Sequence, residues 1–275
     1  MTSSNRRCHE PYSVKQETLS AFCSKLLYEC GSGNGALLCL QLYPGVQLLA
    51  VDFHMGAMDT SPPAPYRLLK LNYCFEGRCE IPLPENRYAY MRPGLLSVDT
   101  NAPRDWMRLP SKEYVGLELV VDLEVLQTAS AWTEWGIDFI AVAEALSHTD
   151  GSYLAQTTAQ WAHLAKELYD HIFAQARSLE DYRFLTLQLL WLLKSGVHCQ
   201  AVSSSLFLTI GQRALAMNTE ALLTADLRKR YVIEDLARGA GVSPSTLKKY
   251  FTQMYGLPNY SEIDPTPLLA CYIFF

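Results

Sequence analysis

Apolar and polar positions alternate through the middle of the chain. Leu69, Leu71, Tyr73 and Phe75 fall on one side of an extended backbone, Glu76-Gly77 marks a turn, and Cys79, Ile81 and Leu83 alternate again. A period of two belongs to a strand with one buried face, so this stretch predicts a hairpin. Leu38 to Tyr43 and Val46 to Phe53 are apolar runs joined at Pro44-Gly45, a further turn signal. Tyr88 and Tyr90 carry the alternation to Pro93-Gly94, Leu96 and Val98 give a short strand, and Val115, Leu117, Leu119 and Val121 alternate cleanly. A proline-rich break covers 61–65. Many short strands at regular spacing over 36–121 predict a barrel or sandwich. Ahead of them, 1–35 is polar and weakly patterned. It reads as an N-terminal arm with a short helix over 18–29 and a glycine loop over 31–35.

After Asp122 the period changes. Trp161, Ala165, Leu168, Ile172 and Ala176 form one stripe at helical spacing. A stripe that packs on a sheet and one that pairs with a second copy look alike in sequence, so 122–200 reads as a helical packing or dimerisation region. Within it, Phe184 to Leu193 is apolar nearly all round, which predicts a buried helix. Residues 198–205 are small and polar, a linker. Residues 206–224 are helical and open a last unit spanning 205–260.

That unit holds the most informative stretch, Tyr231 to Gly256. Ile233, Leu236 and Ala237 share one helical face, and Gly241 follows where the chain must bend. Ser243 is a helix N-cap with Pro244 at the first helical position. Leu247, Phe251 and Met254 form the buried back of the second helix. Its other face carries Ser245, Thr246, Lys248, Lys249, Thr252 and Gln253, short hydrogen-bonding groups and lysines suited to the major groove of DNA. An ordinary helical hairpin with a solvated face is the plain alternative. The conjunction of turn glycine, Ser-Pro cap and buried back favours a helix-turn-helix.

The run LARGAGVSPSTLKKYFTQMYGLP resembles the first helix-turn-helix of AraC-type (AraC/XylS) transcription regulators. Leu236, Ala237, Gly241, Val242, Ser243, Leu247, Phe251, Gly256 and Pro258 all match that family's pattern. The resemblance implies an α+β chain in which a cupin-like β-barrel binds a small effector, helices after it carry dimer contacts, and an all-α module reads DNA. By this resemblance the candidate DNA-binding residues are Ser243, Ser245, Thr246, Lys248, Lys249 and Thr252. The partners implied are double-stranded DNA, a small-molecule effector and a second copy of the chain.

The family joins two helix-turn-helix units by a long, often basic helix. Here Tyr260 is followed by SEIDPTPLLACYIFF, where Pro265 and Pro267 would break a helix. Residues 261–275 therefore read as an aberrant tail on a C-terminally truncated regulator with an incomplete module. The expected DNA affinity is then poor, near the nonspecific range of about 10⁻⁴ to 10⁻⁶ M. The alternative is a ligand-binding or dimerising protein without effective DNA binding.

Charge sharpens the picture. The 275 residues carry a net charge of −5, which argues against whole-surface binding to nucleic acid. From Arg228 to Tyr260, however, six basic residues face two acidic ones, a local charge of +4. The candidate chemistry is thin. His54 is the only histidine between His9 and His148, too few for the ligand cluster of a metal-dependent cupin. No catalytic Ser-His-Asp or Cys-His arrangement stands out. The eight cysteines include no C-x-x-C pair, so no zinc site is expected. The start lacks the apolar segment of a signal peptide, and no apolar run spans a bilayer. The sequence therefore reads as a cytoplasmic, bacterial-type regulator with no enzymatic activity, cofactor or metal, and with an effector pocket inside the 36–121 barrel.

Overall fold

A computed structural model describes residues 12–59, 67–100, 106–126, 131–147, 152–202, 207–226, 228–229 and 231–256. In chain order the strands are β1 (Tyr12–Thr18), β2 (Cys23–Cys30), β3 (Gly33–Tyr43), β4 (Val46–His54), β5 (Ala57–Asp59), β6 (Leu68–Gly77), β7 (Cys79–Leu83), β8 (Arg87–Met91), β9 (Leu95–Asp99), β10 (Trp106–Arg108) and β11 (Tyr114–Asp122). Helices α1 (Leu123–Leu126), α2 (Ala131–Glu134) and α3 (Phe139–Ser147) follow, then β12 (Ser152–Thr157), α4 (Ala159–Ala174), α5 (Leu179–Lys194) and β13 (Cys199–Ala201). The last unit has β14 (Leu208–Thr209), α6 (Ile210–Ala225), α7 (Ile233–Gly239) and α8 (Pro244–Tyr255).

The fold is mixed helix and sheet around a large antiparallel sheet in the order β1-β2-β3-β4-β11-β6-β9-β12-β13. Among the described residues this sheet does not close: β1 and β13 are its edges. The alternation predicts a barrel or sandwich and the resemblance a cupin-like barrel; among the described residues the strands form an open sheet, so a closed barrel is not seen. Helices cover one face of it, and β7 and β8 leave for a separate small sheet in the order β14-β8-β7.

The helix-covered face is apolar. Leu48, Leu69, Tyr73, Leu117 and Leu119 lie in one buried cluster with Trp161, Leu168 and Ile172 of α4 and Leu189 and Leu190 of α5. Both helices start at side-chain caps. Thr158 accepts the Trp161 N–H, and Ser178 forms a capping box with Asp181. The Trp161 indole N–H donates to the Leu189 carbonyl at 3.1 Å, tying α4 to α5. Arg183 of α5 donates to the Leu42 carbonyl at 2.7 Å and lies over the Tyr43 ring at 4.4 Å.

Several expectations are met. β3 and β4 pair through Pro44-Gly45, with Gly45 at φ +75°, and the 161–172 stripe is the buried face of α4. Others are corrected. The helix expected over 18–29 is strand β2, paired along its length with β3, and the glycine loop gives way to β3 at Gly33. Continuous cross-strand hydrogen bonding outweighs a weak local helical pattern. The β6–β7 hairpin does not form. β11 follows one edge of β6 to Gly77, β9 takes the other edge only over Lys70–Tyr73, and β7 pairs with β8. Gly77 turns the chain away at φ +79°, where an added Cβ would sit 1.8 Å from the Glu113 carbonyl oxygen.

The region after Asp122 contains a strand, β12, and the expected linker contains β13, which pairs with it. α4 ends at Ala174, ahead of Ala176, and the last unit's first helix begins at Ile210, after β14. α5 is not buried all round. Phe184 is 66% exposed and Trp191 52% exposed, because only one side of the helix meets the sheet. The proline-rich break and the 261–275 tail lie outside the described residues.

Candidate functional site

α7 and α8 meet at a tight turn. Gly241 sits at φ +68° between them, where a glycine avoids the strain of a Cβ. Val242 and Ser243 follow, and the Ser243 Oγ accepts the Thr246 N–H at 3.2 Å. The same oxygen lies 3.0 Å from the Ser245 hydroxyl and 2.7 Å from that of Thr246. Leu247, Phe251, Met254 and Tyr255 form the buried back of α8. Of the six residues named from sequence, Ser245, Lys248 and Lys249 are exposed, and Thr252 is partly exposed one turn on. The structure thus brings four of them onto one outward face at i, i+3, i+4 and i+7. Ser243 and Thr246 are engaged in the cap, so their hydroxyls serve first to start the helix.

A second set of residues, invisible to sequence reasoning, fixes this unit to the sheet. β14 pairs with β8, and α6 begins directly from β14 with a Thr209–Gln212 capping box. Arg213, one residue further, grips Glu80 of β7 with two hydrogen bonds, Nε to Oε2 at 2.7 Å and Nη2 to Oε1 at 2.9 Å. The Tyr90 hydroxyl also donates to Glu80 Oε2 at 2.9 Å, and the Arg213 guanidinium lies 4.6 Å from the Tyr88 ring centroid. Burial, and the Glu80 carboxylate beside it, push the Tyr90 phenol well above its ordinary range. Gln212 donates to the Tyr250 hydroxyl at 3.0 Å, linking α6 to α8. Tyr90, Leu208, Ala216, Leu223, Phe251, Met254 and Tyr255 form the apolar cluster behind these contacts.

The second face of the sheet is also unlike its partner. At one end it is apolar, built from Val51, Phe53, Cys74, Leu95 and Tyr114. Further along, the cross-strand register aligns Glu118 with Asn72, and Asn72 with Ser97. In the next row Lys70 opposes Asp99, and their charged groups lie 3.2 Å apart. The Tyr114 hydroxyl donates to Asn72 Oδ1. Burial pushes the Glu118 carboxyl above the usual carboxylate range, with Lys70 opposing and Asp99 adding to the shift. Ser97 is 1% exposed, and its hydroxyl has no hydrogen-bond partner. Lys70 and Asn72 alternate with Leu69, Leu71 and Tyr73, a signal present in the sequence. Alternation alone does not say whether the polar side meets solvent or is buried.

The effector pocket expected inside the strands is not found as a cavity on the helix-covered face. The void there, lined by Leu48, Tyr73, Leu117, Trp161 and Leu190, holds about 30 Å³, room for little more than water. A larger groove of about 600 Å³ runs between α6 and α7, past Ala214, Asn218, Leu222, Tyr231 and Leu236. Among the described residues no group of three or more His, Cys, Asp and Glu side chains is placed to hold a metal. His54 instead lies 2.9 Å from Asp52, half exposed. No helix of the described residues is long and apolar enough to cross a membrane.

No family model matches the sequence, and no curated protein matches it. Some solved structures do. ToxT from Vibrio cholerae is similar at 10% identity over 78% of this chain and 76% of that chain, with a TM-score of 0.31. An apo form of a ToxT variant from the same species gives 9% identity over 75% of this chain and 74% of that one, with a TM-score of 0.39. A mutant of the oxalate decarboxylase OxdC from Bacillus subtilis gives 12% identity over 49% of this chain and 37% of that one, with a TM-score of 0.26. At these TM-scores none of the likenesses carries an argument.

Two outcomes follow from the buried polar groups. Arg213→Met or Glu80→Gln leaves the other partner buried without its mate, and each should cost about 3–5 kcal/mol in denaturant unfolding. The double variant should lose less than the sum, by at least about 1 kcal/mol. Strictly additive losses would show that the two side chains do not act as a pair. Glu118 predicts a pH effect of opposite origin. Its folded carboxyl holds its proton more tightly than the unfolded one, so its contribution is intact below the unfolded pKa and is lost as pH rises through the folded pKa. Glu118→Gln cannot ionise, so the variant should gain on the native chain as pH climbs above the ordinary carboxylate range. Unfolding curves at acidic and neutral pH test this, and a pH-independent difference refutes it.

Proposed function

We propose that the chain is a sequence-specific DNA-binding transcription regulator of the AraC type, with a sheet unit that responds to a small-molecule effector. One observation carries the reading. α8 turns Ser245, Lys248, Lys249 and Thr252 outward on one face, while its back is buried and its start is capped. Such a helix, held by a partner helix across a glycine turn, can lie in the major groove and offer its side chains to base edges. Its charge suits the partner, since the +4 of 228–260 sits in a chain of net charge −5. Lys can donate to guanine O6 and N7, and losing a good base contact costs roughly 1–3 kcal/mol. Lys248→Ala should therefore weaken binding to the preferred sequence more than to random DNA, in titrations at fixed salt. An equal loss on both would reduce Lys248 to a phosphate contact.

A second reading, a dimerising protein without effective DNA binding, has its own support in α5. Phe184, Leu187 and Trp191 lie along one side of that helix, with Glu180 near its start and Lys194 at its end on the same side. Two copies packed antiparallel would bury the aromatic rings and set each Glu180 near the other's Lys194, a self-complementary arrangement. Dimerisation through α5 is compatible with either reading, and salt-dependent DNA binding separates the two. Sedimentation tests the dimer: Phe184→Glu should shift it toward monomer, and a native chain that is monomeric at every concentration removes the α5 interface.

A further inference from the structure

We propose that the row Glu118–Asn72–Ser97 on the second face of the sheet binds the ammonium group of a small organic amine, with the Lys70–Asp99 pair at its edge. This deepens the effector half of the regulatory reading and rests on that reading only for its consequence, not for the binding itself.

The placement comes from the strands. Antiparallel register sets Glu118 of β11 beside Asn72 of β6, and Asn72 beside Ser97 of β9, so the three side chains share one face. Lys70, Asn72 and Glu118 are half-buried, and Ser97 is buried beside them. Ser97 supplies the independent sign. Its hydroxyl is buried and unpartnered, and a buried polar group without a partner is costly unless something else completes it. A ligand bearing hydrogen-bond donors would complete it.

Charge then selects the ligand. The titratable groups that face Glu118 are Lys70 on β6, Asp99 on β9, Cys39 on β3, Cys79 on β7 and Tyr114 on β11. Burial pushes the Cys39 thiol up to about 11 and holds Cys79 and Tyr114 well above their ordinary ranges, so these three stay neutral. Lys70 and Asp99 cancel one another. Glu118 is left as the carboxyl that a cation would balance. An ammonium ligand beside it would set two positive charges against two negative ones. Its N–H groups have acceptors in the Glu118 carboxylate, the Asn72 carbonyl and the Ser97 hydroxyl. A carboxylate ligand would instead add an anion beside Asp99 and Glu118, which the one lysine cannot offset.

Calorimetric titration of the full chain with n-butylammonium, n-butyrate and n-butanol tests this with probes matched in size. The amine should bind, while the carboxylate and the alcohol should not bind measurably. Glu118→Gln should weaken amine binding about tenfold or more, the equivalent of one charge-assisted hydrogen bond. Ser97→Ala should weaken it several-fold. The thermal midpoint of each variant should match or exceed the native one, which separates lost binding from lost fold. Butyrate or butanol binding as tightly as the amine overturns the proposal. So does an unchanged affinity in Glu118→Gln, and so does the absence of heat with all three probes. A DNA titration with and without the amine keeps the two ideas apart. Amine binding that leaves DNA affinity unmoved preserves this site and removes its regulatory role, and amine binding by a chain that never binds DNA preserves the site and removes the regulator.

Discussion

A carboxylate that leaves water must find a cation, and Glu80 finds Arg213. That requirement decides how the helical unit sits on the sheet. Glu80 is nearly buried on β7, and Arg213 reaches it from the first turn of α6 with a two-pronged grip. A point charge could swing about such a contact, but a planar guanidinium bonded through Nε and Nη2 fixes the rotation of α6 about its own axis. Tyr90 occupies one remaining acceptor site of the carboxylate, and Tyr88 covers the guanidinium. α6 then passes the orientation on, because Gln212 reaches Tyr250 of α8 and Ala216 and Leu223 share a cluster with Phe251 and Met254. A buried pair of this kind adds little net stability over an apolar substitute, and its value lies in admitting one arrangement.

The position of Glu80 depends in turn on β6. β11 follows one edge of β6 to Gly77, β9 holds the other over Lys70–Tyr73, and the turn at Gly77, φ +79°, leads the chain into β7, which builds on β8. The same strand carries Lys70 and Asn72 on the second face and Leu71 and Tyr73 under α4. One continuous segment therefore runs from the polar row, through a turn pinned by Arg78 N–H to the Glu113 carbonyl at 3.2 Å, into the strand that holds the ion pair. Contiguity of this sort transmits a signal only where a ligand distinguishes two arrangements of the segment. The ion pair resists partial rupture, since removing one partner costs more than replacing both.

What the sequence discloses follows from how local each determinant is. The α7–α8 turn is legible because every part of it lies within about one turn of its neighbours: Gly241 bends, Ser243 caps and Pro244 starts the helix. The β3–β4 hairpin is legible for the same reason. The β6–β7 hairpin has equally good local signals and fails: β7 pairs with β8, and the turn at Gly77 lies against Glu113, a residue distant in sequence. α5 misleads differently. Phe184 and Trp191 make its composition that of a buried helix, and only the absence of a second layer among the described residues leaves them exposed. The polar row and the Glu80–Arg213 pair could not be read at all. Each unites residues from separate strands or helices, and an isolated Glu or Ser in a strand looks the same whether it meets water or another side chain.

The charge distribution sets how such a molecule could approach DNA. With a net charge of −5 overall and +4 within 228–260, the remainder carries −9. A duplex is therefore attracted to the α7–α8 face and repelled by the body, which favours one orientation of encounter. At physiological salt the screening length is about 8 Å, so this bias acts mainly at contact and grows as salt is lowered. Phosphate contacts come from few side chains, because Lys248 and Lys249 are the only basic residues in α8 and Arg238 of α7 is already paired with Asp235 at 3.0 Å. A single copy then gains little from counterion release, and its preference must come from base edges rather than from charge. Presenting two copies on one duplex changes that balance without any new contact type, since the second engagement becomes intramolecular. If α8 reads DNA, the exposed aromatic side of α5 and the lightly charged face of α8 are for that reason two parts of one physical problem, since a weakly charged reader gains from a second copy.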